Sequence, residues 1–500
     1  MKEITGLDYL KLTKWQRFTY QLKKFFCGIP RWFARVGIKI GRFFSKIGLG
    51  FANYFVELFN TFKNGDYKTR VSFFIMGFGS IARKQVFRGV LFALFQLIFI
   101  IYMISNGFYF LGKLGSLGMW YEQRVEVGGV ITQEGVNSFN ILLYGVLTIF
   151  FIIAFLYTWN LNVKQNRINE QLIKDEKKLT SGKDDLRALV DKDFHKTLLS
   201  LPTLGIVIFT LLPIFFMILV AFTTFDHDHT PPQNLFGWAG FDNFGKLFDF
   251  QNGDVKFSMT FGQILIWTLV WAFFATFTNY FLGMMVAMLI NKKGIKLKKL
   301  WRTILVLSIA IPQFISLLYV KQMFALDGII NNAITACGGH AIDFWGDPWL
   351  ARITVIVINI WIGIPYLMLV TTGILMNIPA DLYESANIDG ATPWQQYSKI
   401  TLPYMLFVTG PYLLTSFTGN MNNFNVIYLL TGGGPANIDF HITANGDTDL
   451  LITWLFNLAI SKSEYNLAAV IGIMVFIVVA LISLIIYNIL PSTRNEEEFQ

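Results

Sequence analysis

Residues 383–403 read YESANIDGATPWQQYSKITLP, a polar stretch set between two long apolar runs of a very hydrophobic chain. Its local grammar is helix, break, helix. Asp381 stands as an N-cap with Glu384 three residues on, the spacing at which each side chain satisfies an orphan amide of the other. Gly390 supplies the permissive backbone that ends this first helix. Thr392, Pro393 and Gln395 repeat the start signal as cap, first-turn proline and third-position acceptor, and Pro403 marks the entry to the next apolar run. The spacing fits a compact pair of short helices lying parallel to a membrane, and equally an ordinary well-capped loop.

The surroundings make this a loop of a polytopic membrane protein. Of 500 residues, 54% are hydrophobic and only 15% charged, where a soluble chain carries about a quarter charged. A crossing needs about 20 mainly apolar residues, and eight segments qualify. They are 89–111, 139–163, 199–223, 261–290, 303–325, 353–376, 404–431 and 466–490, so the expected fold is all-α with eight transmembrane helices. Lys plus Arg number 17 in residues 1–88, nine in 160–200 and six in 291–302, whereas the loops between them are dominated by acidic residues. By the positive-inside rule both termini, and the 383–403 loop, face the cytoplasm. The net charge of +9 is then a topology signal, and no nucleic-acid partner is expected.

Five regions follow. Residues 1–88 form a basic, aromatic region whose Arg, Lys, Trp and Phe suit amphipathic helices on membrane lipid. Residues 89–163 carry the first two spans, and 164–198 form a charged linker of closely mixed sign, read as a solvated helix pair or linker with no site in it. Residues 199–490 hold a six-helix core containing the loop at 381–403, and 491–500 form a cytoplasmic tail. No apolar leader segment opens the chain, so the first span is expected to do the targeting. Cys27 and Cys337 fall on opposite sides of the membrane and cannot pair. His227 and His229 in FDHDHT lack a third ligand, and no metal site is expected.

The spacing of the loop resembles the EAA motif of bacterial ABC-importer permeases: E-A-A, three residues, G, nine residues, I-x-L-P. Here Glu384, Ser385, Ala386, Gly390, Ile400, Leu402 and Pro403 keep every interval, with serine for the second residue of the triplet. The resemblance implies a type I ABC-importer permease fold in a bacterial plasma membrane, and a coupling helix that docks into an ATPase subunit. TGGGP at 431–435, TDLLITW at 448–454 and GFDNFGKLF at 240–248 further resemble maltose and maltodextrin permeases of the MalF type. One departure is large, because only about 37 residues join spans three and four, where the enterobacterial permeases carry a folded insertion.

Polar side chains at membrane depth raise a functional hypothesis. Helical spacing aligns Ser416, Asn420 and Asn423 on one face of span seven, and Asn359, Ile362, Gly363 and Tyr366 on one face of span six. Amides match sugar hydroxyls as donors and acceptors together, yet the same residue types also join helices to one another. Spacing leaves both readings open. The resemblance implies sugar contacts at all seven positions. It also marks two losses, Gly419 where the maltose permease has phenylalanine and Ile309 where it has tyrosine.

The chain carries no G-x-x-x-x-G-K-[ST], so no cofactor is expected on it; ATP and Mg belong to partner ATPases, and the chain itself is not an enzyme. The resemblance implies a second, MalG-like permease subunit, two ATP-binding-cassette ATPases, an extracellular sugar-binding protein and a maltose or maltodextrin substrate. The alternatives are another oligosaccharide, or an ion-coupled secondary transporter. The near absence of ionisable residues in the spans disfavours the last.

Overall fold

The structure, a computed structural model, describes residues 48–118, 136–231, 234–248, 255–292, 294–436 and 445–489. It also describes residue 16, residues 41–42 and 45–46, and a short hairpin pairing Val125–Val127 with Val130–Gln133. Cys27, His441, the 491–500 tail and most of the basic stretch before residue 48 lie outside the described residues. Among the described residues the fold is all-α apart from that hairpin.

Twelve helices carry the argument: α1 Val86–Leu114, α2 Ser138–Lys174, α3 Phe194–Val220, α4 Phe257–Asn291, α5 Lys298–Ala310, α6 Gln313–Met323, α7 Pro348–Leu375, α8 Ala380–Ile388, α9 Pro393–Met421, α10 Phe424–Leu430, α11 Leu451–Ser461 and α12 Tyr465–Ile489. Seven of them, α1 to α4 with α7, α9 and α12, are long and apolar enough to cross a membrane. The eighth crossing is the pair α5 and α6, bent by 93°.

Three expectations change. The fifth span is an elbow, because the residue before a proline is pushed out of the helical region and Ile311, before Pro312, is extended at ψ 126°. The seventh starts earlier than residue 404 and stops at Met421, where Asn422 caps it before α10 begins. The charged linker takes the helical one of its two expected forms, since α2 runs on to Lys174 and Ser181 opens a further capped helix, Gly182–Val190, but it is not solvated throughout, because Asn166, Asn169 and Glu170 are buried.

Packing divides the chain into two units, one of residues up to 108 with 148–204, the other of 109–147 with everything from 205 onward. In the first, the end of α2 is a comb of amides and acids that grips residues 66–85. Asn162 donates to Ser72 O at 2.9 Å and accepts from Gly77 N at 3.0 Å, and Asn169 donates to Gln85 Oε1 at 2.7 Å. Arg83, fully buried, donates to Asp66 Oδ1 at 2.6 Å, Thr69 Oγ1 at 2.8 Å and Asn166 Oδ1 at 2.8 Å. Glu170 accepts from Asp66 N and Thr69 Oγ1 and pairs with Lys174. A buried charge persists only when paired and hydrogen-bonded, and Arg83 is so held through its two terminal nitrogens, although its Nε is buried without a partner.

The second unit has an apolar core. Ala468, Ala469, Val470 and Ile471 of α12 pack with Trp454 of α11 and with Val220, Phe225, Phe257 and Phe261. A second cluster joins α4 to α6, α7 and α10 through Trp267, Trp271, Leu317, Val355 and Ile427. Tyr280 and Met284 of α4 meet Leu367 of α7 and Met405 of α9, and Thr409 donates to the buried Tyr280 hydroxyl at 2.8 Å. These contacts hold α4, α7 and α9 around the polar residues of the spans.

Candidate functional site

The loop after α7 is built from caps. Pro379, extended at ψ 131°, occupies the N-cap of α8, so Ala380 opens the helix and Asp381 falls inside its first turn. The Asp381–Glu384 capping box is therefore not formed, because the helix starts two residues earlier, behind the proline. Gly390 sits at φ 73°, in the left-handed region, and Ala391 N donates back to Ala386 O at 2.8 Å. The second box is present: Gln395 N donates to Thr392 Oγ1 at 3.3 Å and Thr392 N to Gln395 Oε1 at 2.8 Å, with Pro393 in the first turn.

The helix so opened is not a separate short one. It continues through a π turn at Tyr397–Thr401 into α9, so Ile400, Leu402 and Pro403 lie within one helix and Pro403 does not begin it. The wider turn bonds Leu402 N–H back to Tyr397 O just ahead of the proline that has no N–H to give. Tyr383 Oη meets Thr401 Oγ1 at 2.9 Å and Gln396 Nε2 donates to Asn387 Oδ1 at 2.7 Å, bracing α8 against α9. Glu384, Ser385 and Gly390 are exposed, and so are the apolar Ile388 (86%) and Trp394 (72%). The loop is thus satisfied inside while apolar side chains face outward.

Within the spans, the predicted stripes separate. Ile362, Gly363 and Tyr366 of α7, with the neighbouring Trp361, face the α5–α6 elbow, where Ser308 to Gln313 complete a cleft of about 500 Å³. Asn359 does not line it. That side chain is buried with its Nδ2 unpartnered, while the backbone carbonyl of Asn359 accepts from Asn279 Nδ2 of α4 at 3.4 Å. Asn279 packs into the notch left by Gly363, where a Cβ would stand 2.3 Å from its Nδ2.

Ser416 and Asn420 share α9, but Asn423 lies past its end as N-cap of α10, where its Oδ1 accepts from Val426 N at 3.4 Å. Asn420 bridges helices: its Nδ2 donates to Thr276 Oγ1 at 3.0 Å and its carbonyl accepts from Trp271 Nε1 at 3.1 Å. Asn423 Nδ2 reaches Asn420 Oδ1 at 3.4 Å. Ile309 lines the cleft, and a Cβ on Gly419 would meet no atom within 4 Å. Sequence reasoning missed Asn279, Trp361 and Gln313. The break around Pro312 was a readable signal for Gln313, whereas a single amide in the apolar α4 had none.

An all-α chain of seven or eight apolar crossings, with a largely apolar cleft carrying a few polar groups and a capped loop between two of the crossings, has the make-up of a polytopic membrane protein. The chain belongs to the family of binding-protein-dependent transport system inner membrane components, whose model matches residues 279–494. It is 32% identical over 433 residues to the galactooligosaccharides transport system permease protein GanP of Bacillus subtilis, covering 84% of this chain and 97% of that one. It is 31% identical over 438 residues to the maltodextrin transport system permease protein MalC of Streptococcus pneumoniae, covering 85% and 95%. Among solved structures it resembles a bacterial ABC transporter involved in import of the acidic polysaccharide alginate. There the TM-score is 0.50 at 25% identity, covering 63% of this chain and all of that one. The chain is accordingly a multi-pass membrane permease subunit of an ABC importer.

Proposed function

We propose that this permease carries maltodextrin-class oligosaccharides, handed over by an extracellular binding protein, through the cleft between α7 and the α5–α6 elbow. The observation that carries the reading is this cleft. Its volume falls in the range of small-ligand sites, and its wall combines Trp361 and Tyr366 rings with Gln313, Ser308 and Ser316. Rings stack on apolar sugar faces while the amide and hydroxyls match sugar hydroxyls. Asn359, buried, Asn420 and Asn423, engaged in bonds between elements, and Ser416, half-buried on α9, would join the path when the helices part.

Both termini are cytoplasmic in this reading. Glu384, Ser385, Ala386 and Gly390, with Ile388 and Trp394 beside them, form the surface gripped by an ATPase, and Ile400, Leu402 and Pro403 pass its motion into α9. One loop engages one ATPase, so a second, MalG-like permease completes the assembly, and ATP with Mg is held by the two ATPases alone. Alternating access then follows from rocking of packed helices.

Similarity to a galactooligosaccharide permease favours a second reading of the sugar. ATP-dependent uptake by the assembled transporter in liposomes, with its binding protein, separates the two. Saturable uptake of maltotriose and longer α-glucans, but not of β-galactosides, is expected; uptake confined to galactooligosaccharides would transfer the assignment.

A further inference from the structure

The function proposed above makes no use of residues 48–64, which form a helix ahead of the first span. At 100° per residue this helix has three longitudinal faces. Tyr54, Leu58 and Thr61 are half-buried and turn toward α2, where they line a cavity of about 200 Å³ with Asn160, Val163 and Arg167. One flank of this seat carries Asn53, Glu57, Asn60 and Asn64, and Glu57 pairs with Arg167. The other flank carries Phe51, Phe55, Phe59 and Phe62, exposed by 62, 56, 64 and 38%. The helix is thus already seated, and what it leaves uncovered is sorted into an aromatic and an amide side.

The aromatic side continues into the spans. Phe62 packs edge-on against Phe73 and Phe74 at 5.3 and 6.2 Å, and Phe73 against Trp159 of α2 at 5.7 Å. Trp159 Nε1 donates to Phe73 O at 2.8 Å, which fixes the ring with its polar edge satisfied. Tryptophan gathers at the headgroup level of a membrane, so the rings that lead from Phe62 through Phe73 to Trp159 join the helix to that depth. Arg70 holds the far end by donating to the carbonyls of Phe62 and Lys63. Nearby charge is positive: Arg42, Lys46, Lys63 and Lys84 are exposed, while the acids Glu57 and Asp66 are paired with Arg167 and Arg83.

We propose that residues 48–62 lie in the plane of the leaflet at the Val86 end of α1, with Phe51, Phe55, Phe59 and Phe62 in the acyl boundary and the lysines and arginine on anionic headgroups. The partner is a lipid surface. A helix of this kind buries its apolar face about 5–10 Å into the headgroup boundary. It therefore sets the depth and tilt of α2, to which it is tied.

The test uses the full chain with Cys27→Ser and Cys337→Ser, reconstituted in liposomes of phosphatidylcholine with phosphatidylglycerol. Single cysteines replace Phe55, Phe59, Asn53 or Asn60, and each is spin-labelled. Labels at 55 and 59 are expected to collide several-fold more with oxygen than with an aqueous nickel chelate, and labels at 53 and 60 the reverse. Ready access of the chelate to both flanks would overturn the proposal. So would shelter of 55 and 59 from both reagents, which would mean that protein covers the phenylalanines. Omitting phosphatidylglycerol is expected to draw the labels at 55 and 59 toward water; an unchanged depth would remove the headgroup contact.

Discussion

Gly363 shows how one missing atom places a site. A Cβ there would stand 2.3 Å from Asn279 Nδ2, in the packed interface of α4 and α7, and overpacking of that kind costs about 1–3 kcal/mol. Gly363→Ala is therefore expected to lower sugar uptake severely, and Asn279→Ser in the same chain to restore it by shortening the colliding side chain. A double variant no better than Gly363→Ala would show that Asn279 does not set the approach. Gly419 is the opposite case. Because nothing lies within 4 Å of its missing Cβ, Gly419→Phe should enter without strain and supply the ring that the resemblance marks as lost. The expected result is a lower KM for short α-glucans in reconstituted uptake; the same KM for every sugar would remove this position from the path.

Elements add what single residues do not. The turn between α8 and α9 needs φ 73° at position 390, whereas proline holds φ near −65°. Gly390→Pro should leave the chain inserted in the membrane but unable to couple ATP hydrolysis to uptake, and normal uptake would sink the coupling role. The end of α2 depends instead on its buried network. Arg83→Met leaves Asp66, Thr69 and Asn166 without their shared donor, a loss of the order of 3 kcal/mol, read as earlier thermal unfolding of the solubilised protein. Burial pushes the Asp66 carboxyl up, but hydrogen bonds from Thr69 and the Arg83 charge outweigh it and hold the group below its usual value. The stability it adds is present above the ordinary carboxylate pKa and is lost as pH falls through the depressed one.

At the scale of the molecule, residues 431–436 and 445–453 close over one buried acid. Asp449 accepts from Gly446 N at 2.8 Å and from Thr453 Oγ1 at 2.7 Å, yet burial dominates and raises its pKa to about 6. A raised carboxyl pKa means that stability is full below the ordinary value of 3.8 and declines until pH passes about 6. Amide protection of residues 448–453 should follow that curve in the wild type and be flat in Asp449→Asn; the same slope in both would clear the carboxyl of the effect. Much of this architecture was legible in the sequence. The count of crossings, the loop with its Gly390 turn and Thr392–Gln395 box, and the alignment of Ile362, Gly363 and Tyr366 depend on burial in lipid, on caps and on helical period, all of which act within a few residues. The shared helix that absorbs Pro403, the place of Asn423 beyond α9 and the wedge of Asn279 against Gly363 came only with the tertiary structure. Each is settled by which neighbour satisfies a backbone or amide group, and that neighbour is either on another helix or on the far side of a break that local propensity does not specify.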